Sequence, residues 1–220
     1  IDWLNERAIR PDMILIGEPT SVDRLGDTIK IGRRGSVNMW IDVRGHQGHV
    51  AYPHRATNPI PSLARIVAAL SAIKLDDGTD SFPPSNLEFT AVSTPTQASN
   101  VIPGTATAQL NIRFNNLQNG ADLVAMVEEV AEREAPGSTV RARISGEAFL
   151  TPPGQLFDLV VDSIREETGI APELSTSGGT SDGRFLIELC PVVDFGLPNA
   201  TMHKVGEHAK VGDIAALSRI

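Results

Sequence analysis

Hydrophobic and polar residues alternate along four segments of the chain, which is the pattern of strands with one buried face. In residues 36–43 the apolar positions share one face: Val37, Met39, Ile41 and Val43. The segments 86–93, 106–114 and 139–145 alternate in the same way. We therefore predict a strand in each of these four segments.

Two further segments carry apolar residues at spacings of three and four, which is typical of a helix with one buried face. In residues 58–73 these positions are Ile60, Leu63, Val67 and Leu70. We expect Asn58 to cap this helix and Pro59 to lie in its first turn. In residues 121–134 the corresponding positions are Leu123, Met126, Val127 and Val130.

The order of these elements over residues 36–145 is β-α-β-β-α-β, which predicts a ferredoxin-like unit with one sheet and two helices. Short apolar runs at 12–17 and 191–196 predict buried strands outside this unit, and a helix is expected near 155–167. The fold class is therefore α/β. We predict that residues 36–146 form a complete small domain that interrupts a partial α/β domain made of residues 1–35 and 147–220.

Composition and charge narrow the classes of function. The 220 residues include 19 Lys and Arg against 27 Asp and Glu, a net charge of −8. This balance disfavours nucleic acid and anionic membranes as partners, whereas a few arginines in one cleft still suit a small anionic substrate. The single cysteine, Cys190, cannot form an intrachain disulfide, and together with the lack of a long apolar run it favours a reducing, cytoplasmic location. The first residues read as the tail of a helix entered midway, so we expect a fragment.

Two residues follow predicted buried strands and are candidate metal ligands. Glu18, in IGEPT, follows the first strand, and His203, in NATMHK, follows the last one. Ligands and metals bind at the carboxyl edge of α/β sheets, and zinc accepts both oxygen and nitrogen ligands. Alternatively, Glu18 is a turn residue before proline and His203 a surface histidine, and neither residue decides between these interpretations alone.

Three of the five histidines, His46, His49 and His54, lie within the segment DVRGHQGHVAYPH. The spacing of His46 and His49 resembles a zinc motif, but the loop offers no third ligand. A loop histidine that donates an N–H to a developing negative charge is the better hypothesis. The loop STSGGTSDG at 175–183 suits an anion held by backbone N–H groups, although it lacks the Gly-Lys-Ser/Thr of a phosphate loop.

Several motifs, in this order along the whole chain, resemble the dizinc metallohydrolases that include aminoacylases and glutamate carboxypeptidase relatives. They are IGEPT, KIGRRGS, GHQGHVAYPH, SNVIPG, LNIRFN, STSGGTSDGRF and GLPNATMHKVGEH. GHVAYPH together with SGGTSDGRF resembles the desuccinylase branch. The resemblance implies a partial zinc-hydrolase catalytic domain with an inserted dimerisation (lid) domain, and cleavage of N-succinyl-LL-2,6-diaminopimelate, a lysine and peptidoglycan precursor.

The resemblance also implies roles for individual residues. Glu18 and His203 would each be a terminal ligand of one of two zinc ions, with cobalt or manganese as substitutes for one of them. His49 would cross the interface of a homodimer formed by residues 36–146 and stabilise the oxyanion in the partner's active site. The residues that resemble substrate-binding groups are Arg33, Ser36, Tyr52, Asn100, Arg113, Ser145, Gly179 and Thr180, with Arg184 as an assisting group. No role carries over to His46 or His54, and His208 is expected at the surface.

The chain also departs from the family pattern. The family's His-x-Asp segment, with the bridging aspartate, and its Glu-Glu pair, with the general base, would lie before residue 1. We therefore expect this chain alone to bind zinc poorly and to be inactive. Two rival hypotheses stay open: a deacylase of N-acetylornithine or another N-acyl amino acid, and a non-catalytic dimerisation module. An RNA-binding role is disfavoured by the single tyrosine and the negative charge.

Overall fold

A computed structural model describes residues 1–96, 98–179 and 181–220. The chain divides into two units, which we call the flanking unit (residues 1–34 and 148–220) and the inserted unit (residues 35–147). The elements follow in chain order: α1 Asp2–Glu6, β1 Ile14–Ile16, β2 Thr28–Lys30, β3 Gly32–Arg33, β4 Gly35–Arg44, β5 Gly48–His49, a 3₁₀ turn Pro53–Arg55, α2 Ile60–Ser71, β6 Asn86–Ser93, β7 Val101–Ile102, β8 Thr105–Phe114, α3 Gly120–Glu134, β9 Thr139–Gly146, β10 Phe149–Leu150, α4 Gln155–Thr168, β11 Glu173–Ser175, α5 Gly183–Leu186, β12 Val192–Asp194 and α6 Val211–Leu217.

The inserted unit is the predicted ferredoxin-like fold, with a four-stranded antiparallel sheet in the order β6-β8-β4-β9. Central strands β4 and β8 pair along ten residues each, from Gly35 opposite Phe114 to Arg44 opposite Thr105. Alternate residues of these two strands are buried, as the sequence pattern predicted, and α2 and α3 pack on the sheet. The four predicted strands and two predicted helices are thus confirmed.

Helix α2 differs in detail from the prediction. Its fully buried residues are Leu63, Ile66 and Leu70, whereas Ile60, predicted to face the core, is 44% exposed. The predicted cap was wrong by one residue, because the helix begins at Ile60 and Pro59 rather than Asn58 is its N-cap. The Asn58 side chain lies just before the helix and accepts a hydrogen bond from the Ile60 N–H at 3.0 Å. The buried face is therefore set by residues 63, 66 and 70, and Ile60 lies beside it in the first turn.

The flanking unit contains a mixed four-stranded sheet in the order β1-β12-β2-β11. Strand β12 runs parallel to β1 and antiparallel to β2, and β11 runs parallel to β2. Helix α4 contributes Leu156, Val160 and Ile164, at spacings of four, to the core around Ile29 and Phe195. This apolar stripe accounts for the packing of α4 against the unit's core.

One strand prediction in this unit was wrong about burial. The run at 12–17 forms only the three-residue strand β1, and Leu15 is 51% exposed. β1 lies at an end of its described sheet, so it has one neighbouring strand. By contrast β12, between β1 and β2, is buried at all three positions, as predicted.

Candidate active site

The segments after β1 and β12 are held together at one edge of the sheet of the flanking unit. The Ser21 hydroxyl donates to the Gly196 carbonyl at 2.7 Å, and the Gly196 N–H donates to the Thr20 hydroxyl at 3.1 Å. A Cβ at Gly196 would lie 2.5 Å from the Glu18 carbonyl oxygen, so only glycine allows this approach. Half-buried Glu18 therefore lies directly beside the chain that leaves β12.

His203 lies in the loop that follows β12 and has an unusual backbone conformation. Its φ of 60° is in the left-handed region, which is uncommon for a residue with a side chain. The loop is closed by Thr201, whose hydroxyl donates to the His208 carbonyl at 2.8 Å, while the His203 N–H donates to the Glu207 carboxylate at 3.3 Å. Such strained residues cluster at functional sites, so the conformation supports His203 as a candidate.

The donor set for a metal is incomplete. Among residues 1–96, 98–179 and 181–220, no three His, Cys, Asp or Glu side chains are grouped so that they could hold a metal ion. A zinc site normally takes three or four protein ligands. Glu18 and His203 by themselves therefore do not fit a zinc centre.

The loop after β4 brings His49, Tyr52 and Asn100 close together. Strand β5 pairs His49 with Val101, and the Val50 N–H donates to the Asn100 carbonyl at 3.1 Å. The Tyr52 N–H donates to the His49 carbonyl at 2.9 Å, and the two rings have centroids 5.8 Å apart. All three residues are exposed, so their side chains are available to a ligand.

The geometry of His49 determines which ring nitrogen carries its proton. The backbone N–H of Ala51 donates to His49 Nδ1 at 3.0 Å. Nδ1 is therefore the acceptor, and in the neutral ring Nε2 carries the hydrogen. His49 thus presents an N–H donor, as required of a group that stabilises an oxyanion.

Ser36, Arg113 and Ser145 lie in the sheet of the inserted unit. Ser36 of β4 is the direct cross-strand partner of Arg113 of β8, and Ser145 lies in β9 at an irregularity of the pairing. Sequence reasoning missed two residues beside them, Asn38 and Asn111. The Asn111 amide donates to Ser36 Oγ at 3.1 Å, and the Asn38 amide donates to Ser145 Oγ at 3.4 Å. Both asparagines occupy polar positions of strands in which polar and apolar residues alternate. This alternation is the sequence signal that could have identified them.

Arg33, of the flanking unit, is already engaged by a residue that sequence reasoning missed. Its Nε and Nη2 both donate to Asp194 Oδ2, at 2.9 and 2.6 Å, and the two residues are only 7% and 2% exposed. Arg33 Nη1 donates to the carbonyl of Gly179 at 3.3 Å. Gly179 is exposed, and Thr180 lies outside the described residues.

Two more cationic groups lie in the flanking unit. Buried Lys30, also missed, donates to the hydroxyls of Ser175 and Ser177 at 2.8 and 3.0 Å. Burial lowers the pKa of Lys30, and the neighbouring Arg33 charge lowers it further. The Arg184 guanidinium lies 4.5 Å from the Phe185 ring centroid. Of the other histidines, His46, His54 and His208 are exposed, as expected for His208.

Sequence comparisons show what the chain is similar to. Residues 31–139 match the family described as Peptidase dimerisation domain. The chain is 61% identical to the succinyl-diaminopimelate desuccinylase of Zymomonas mobilis and 58% identical to that of Sphingopyxis alaskensis. Each alignment covers all 220 residues and 58% of the relative, so the chain spans about three fifths of the length of these curated relatives.

Solved structures share the fold. An M20 family metallo-carboxypeptidase from Sulfolobus solfataricus aligns with a TM-score of 0.79 and 13% identity, covering 99% of this chain and 64% of that one. Aminopeptidase PepT from Bacillus cereus aligns with a TM-score of 0.74 and 19% identity, covering 90% of this chain and 53% of that one. Within the described part of the chain, no helix is long and apolar enough to cross a bilayer. Residues 31–139 thus belong to the peptidase dimerisation domain family, and the whole chain is similar to part of the succinyl-diaminopimelate desuccinylases.

Proposed function

We propose that the intact protein hydrolyses the amide bond of N-succinyl-LL-2,6-diaminopimelate and releases succinate and LL-2,6-diaminopimelate. The observation that carries this proposal is the identity of 52–61% to relatives that bear the desuccinylase name, over the full length of this chain. The substrate is rich in carboxylates, and the candidate residues include arginines, which pair with carboxylates through two parallel hydrogen bonds.

The proposed role of His49 follows from its N–H donor. When the oxygen of water adds to the amide carbon, the carbonyl oxygen takes a negative charge, and the C–N bond then breaks as the amine nitrogen takes a proton. A donor already aimed at that oxygen stabilises the charged intermediate. We assign this task to the Nε2–H of His49, acting in the partner subunit of a homodimer. Tyr52 of the same exposed loop and Asn100, which lies beside it before β7, are proposed as substrate contacts.

Arg113 is the better supported of the two proposed carboxylate-binding arginines. It is half-buried, and its guanidinium has no acidic partner among the residues that the structure describes. The charge of Arg33 is instead balanced by Asp194. We therefore propose that Arg113, with Ser36 and Ser145, binds one carboxylate of the substrate. A second carboxylate is proposed to bind to Arg33, with Gly179 and Thr180.

Glu18 and His203 are proposed as one ligand each of two zinc ions in the intact protein, with cobalt or manganese as substitutes for one. The described residues do not complete either zinc site, so the proposal concerns only how tightly the intact protein binds its metal ions. The variants Glu18→Gln and His203→Ala should each lower the metal content of the purified intact protein towards one ion per subunit. Unchanged metal content in both variants would exclude these two residues as ligands.

An exposed apolar groove on the inserted unit supports the proposed homodimer. It has a volume of about 440 Å³ and lies between α2 and the edge strand β6, with Ile60, Val67 and Val92 among its lining residues. Val92 is 61% exposed, and β6 lies at one end of the sheet formed by the described residues. A strand edge beside an apolar groove favours pairing with a second chain. We propose that a second copy of the protein covers this surface.

The dimer interface can be tested by sedimentation. Val92→Arg should shift the intact protein from dimer to monomer, whereas Leu117→Arg, at a residue 59% exposed outside the groove, should leave it dimeric. A Val92→Arg variant that sediments as the parent protein does would place the interface elsewhere.

Kinetics with matched substrates test the reaction. The intact, zinc-loaded protein should cleave N-succinyl-LL-2,6-diaminopimelate with a kcat/KM far above that for N-acetylornithine. The opposite preference would make the protein an N-acyl amino acid deacylase. Cleavage of neither substrate, in a protein that is dimeric, would favour the non-catalytic dimerisation module, which the match of residues 31–139 also supports.

A further inference from the structure

The polar side chains of β4 and β8 form a network that begins at Ser36. Val37, Met39, Leu110 and Ile112 are fully buried. Because successive side chains point to opposite faces of a sheet, Ser36, Asn38, Asn111 and Arg113 share the other face. In the sheet register Ser36 lies opposite Arg113, and Asn38 lies opposite Asn111, one step along the strands.

The Asn111 amide has one defined orientation. Its Nδ2 donates to Asn38 Oδ1 at 2.9 Å, to Ser36 Oγ at 3.1 Å and to the Val37 carbonyl at 3.2 Å. A backbone carbonyl can only accept, so the nitrogen of the amide, rather than its oxygen, must face this group of three. Asn38 in turn donates from its own nitrogen to Ser145 Oγ.

This orientation determines what Ser36 can do. Its Oγ accepts from Asn111, so its hydrogen is left to donate to another group. Among the described residues no other side-chain partner of Ser36 is found, although Ser36 is only 2% exposed. A buried hydroxyl hydrogen without an acceptor is costly, and the facing residue, Arg113, is itself a donor only. Ser36 and Arg113 are thus cross-strand neighbours that both carry donor hydrogens, and no side-chain acceptor for either is found among the described residues.

We propose that Asn111 is a positioning residue for selectivity towards an acyl group that ends in a carboxylate. By donating to Ser36 Oγ, Asn111 directs the hydroxyl hydrogen of Ser36 towards the ligand, where it joins Arg113 in binding the ionised carboxylate of the succinyl group. This inference rests on the proposed desuccinylase function. It adds the residue that determines the direction in which the Ser36 hydroxyl donates its hydrogen. Asn111 itself does not touch the substrate.

The test compares two acyl groups of the same length. N-succinyl-LL-2,6-diaminopimelate and its N-butyryl analogue differ only in a carboxylate against a methyl group. In the intact protein, Asn111→Asp should take the Ser36 hydrogen and place a like charge near the ligand. The ratio of kcat/KM for the succinyl over the butyryl compound should then fall about tenfold or more, mainly through KM.

The control variant is Gln109→Glu, which adds the same charge to the same face of β8 one step further along, opposite Trp40. Its ratio should stay close to that of the parent protein. An equal loss of activity on both substrates in Asn111→Asp, or an equal fall of the ratio in Gln109→Glu, would overturn the proposal, because either result indicates a general structural or charge effect.

Two further measurements keep the proposal testable if Asn111→Asp folds poorly or the parent protein is no desuccinylase. Asn111→Leu removes the donor without adding charge, and it should weaken calorimetric binding of succinate several-fold while leaving butyrate binding unchanged. In a Ser36→Ala background Asn111→Leu should have no additional effect, because Asn111 acts through that hydroxyl. Additive effects, or no binding of succinate by the parent protein, would refute the inference. Absence of turnover with succinate binding retained would count only against the proposed reaction.

Discussion

Removal of the Asp194 carboxylate should destabilise the flanking unit strongly. Asp194 Oδ2 accepts from Arg33 at 2.9 and 2.6 Å, and the two side chains are 2% and 9% exposed, so solvent screens the pair very little. Breaking a buried pair by removing one partner typically costs about 3–5 kcal/mol, because the other charge stays buried and unpaired. We therefore expect Asp194→Ala to lower protection of strands β2 and β12 against hydrogen exchange by about a hundred- to several-thousand-fold.

Hydrogen exchange measured by mass spectrometry on peptides from residues 28–34 and 192–196 checks this magnitude. A matched control is Asp162→Ala, whose partner Arg165 is 57% exposed, and which should cost less than about 1 kcal/mol. The double variant Arg33→Met with Asp194→Leu should recover most of the protection, since apolar pairs replace buried ion pairs at little cost. If Asp194→Ala altered exchange in β12 no more than Asp162→Ala, the electrostatic argument would be refuted.

Three other variants test separate parts of the structure. His49→Ala in the intact enzyme should lower kcat by about 10²–10³ with little change in zinc content, and loss of metal instead would contradict the oxyanion role. Burial tends to raise the pKa of Asp27, but hydrogen bonds from the N–H groups of Arg24, Val22 and Asp23 outweigh it and lower the pKa. Asp27 therefore adds stability that is fully present above its unfolded pKa, near 3.9, and is lost as the pH falls through the lower folded pKa. Asp27→Asn should lower Tm at pH 7, and the difference from the parent protein should shrink steadily as the pH is lowered below about 4. A Cβ at Gly45 would overlap the Thr57 carbonyl, so Gly45→Ala should disturb the His49 loop and lower both kcat and Tm, whereas Gly104→Ala, with its nearest neighbour at 3.6 Å, should change neither.

The inserted unit could be predicted almost completely because its signals are local. Alternation along β4 and β8 identified the buried positions, since these two central strands have neighbours on both sides. The same reasoning failed for Leu15, whose apolar neighbours suggested a buried strand. Burial of a strand depends on how many strands flank it, which an apolar run of six residues does not reveal.

The candidate residues could be named from the motifs, but their states could not. The sequence indicated an N–H donor role for His49, and the Ala51 contact shows which nitrogen carries the hydrogen. Arg33 was predicted as a group for substrate carboxylates, and its engagement by Asp194 came from strand β12, far along the chain. No local pattern marked Asp194, because one aspartate at the end of a buried strand looks like any turn residue.

The sequence by itself determined the order of strands and helices, the buried face of each central strand and the enzymes that the chain resembles. These features follow from side-chain periodicity and from short motifs, which need no knowledge of distant residues. Only the tertiary structure decided which polar side chains meet. Asn111 reaches Ser36 across 75 residues because β8 pairs with β4. Arg33 reaches Asp194 across 161 residues because β12 places Asp194 opposite Lys30, shortly before Arg33. Strand register is set only when the sheet assembles. It decides which polar side chains are paired with each other and which are left to bind a ligand.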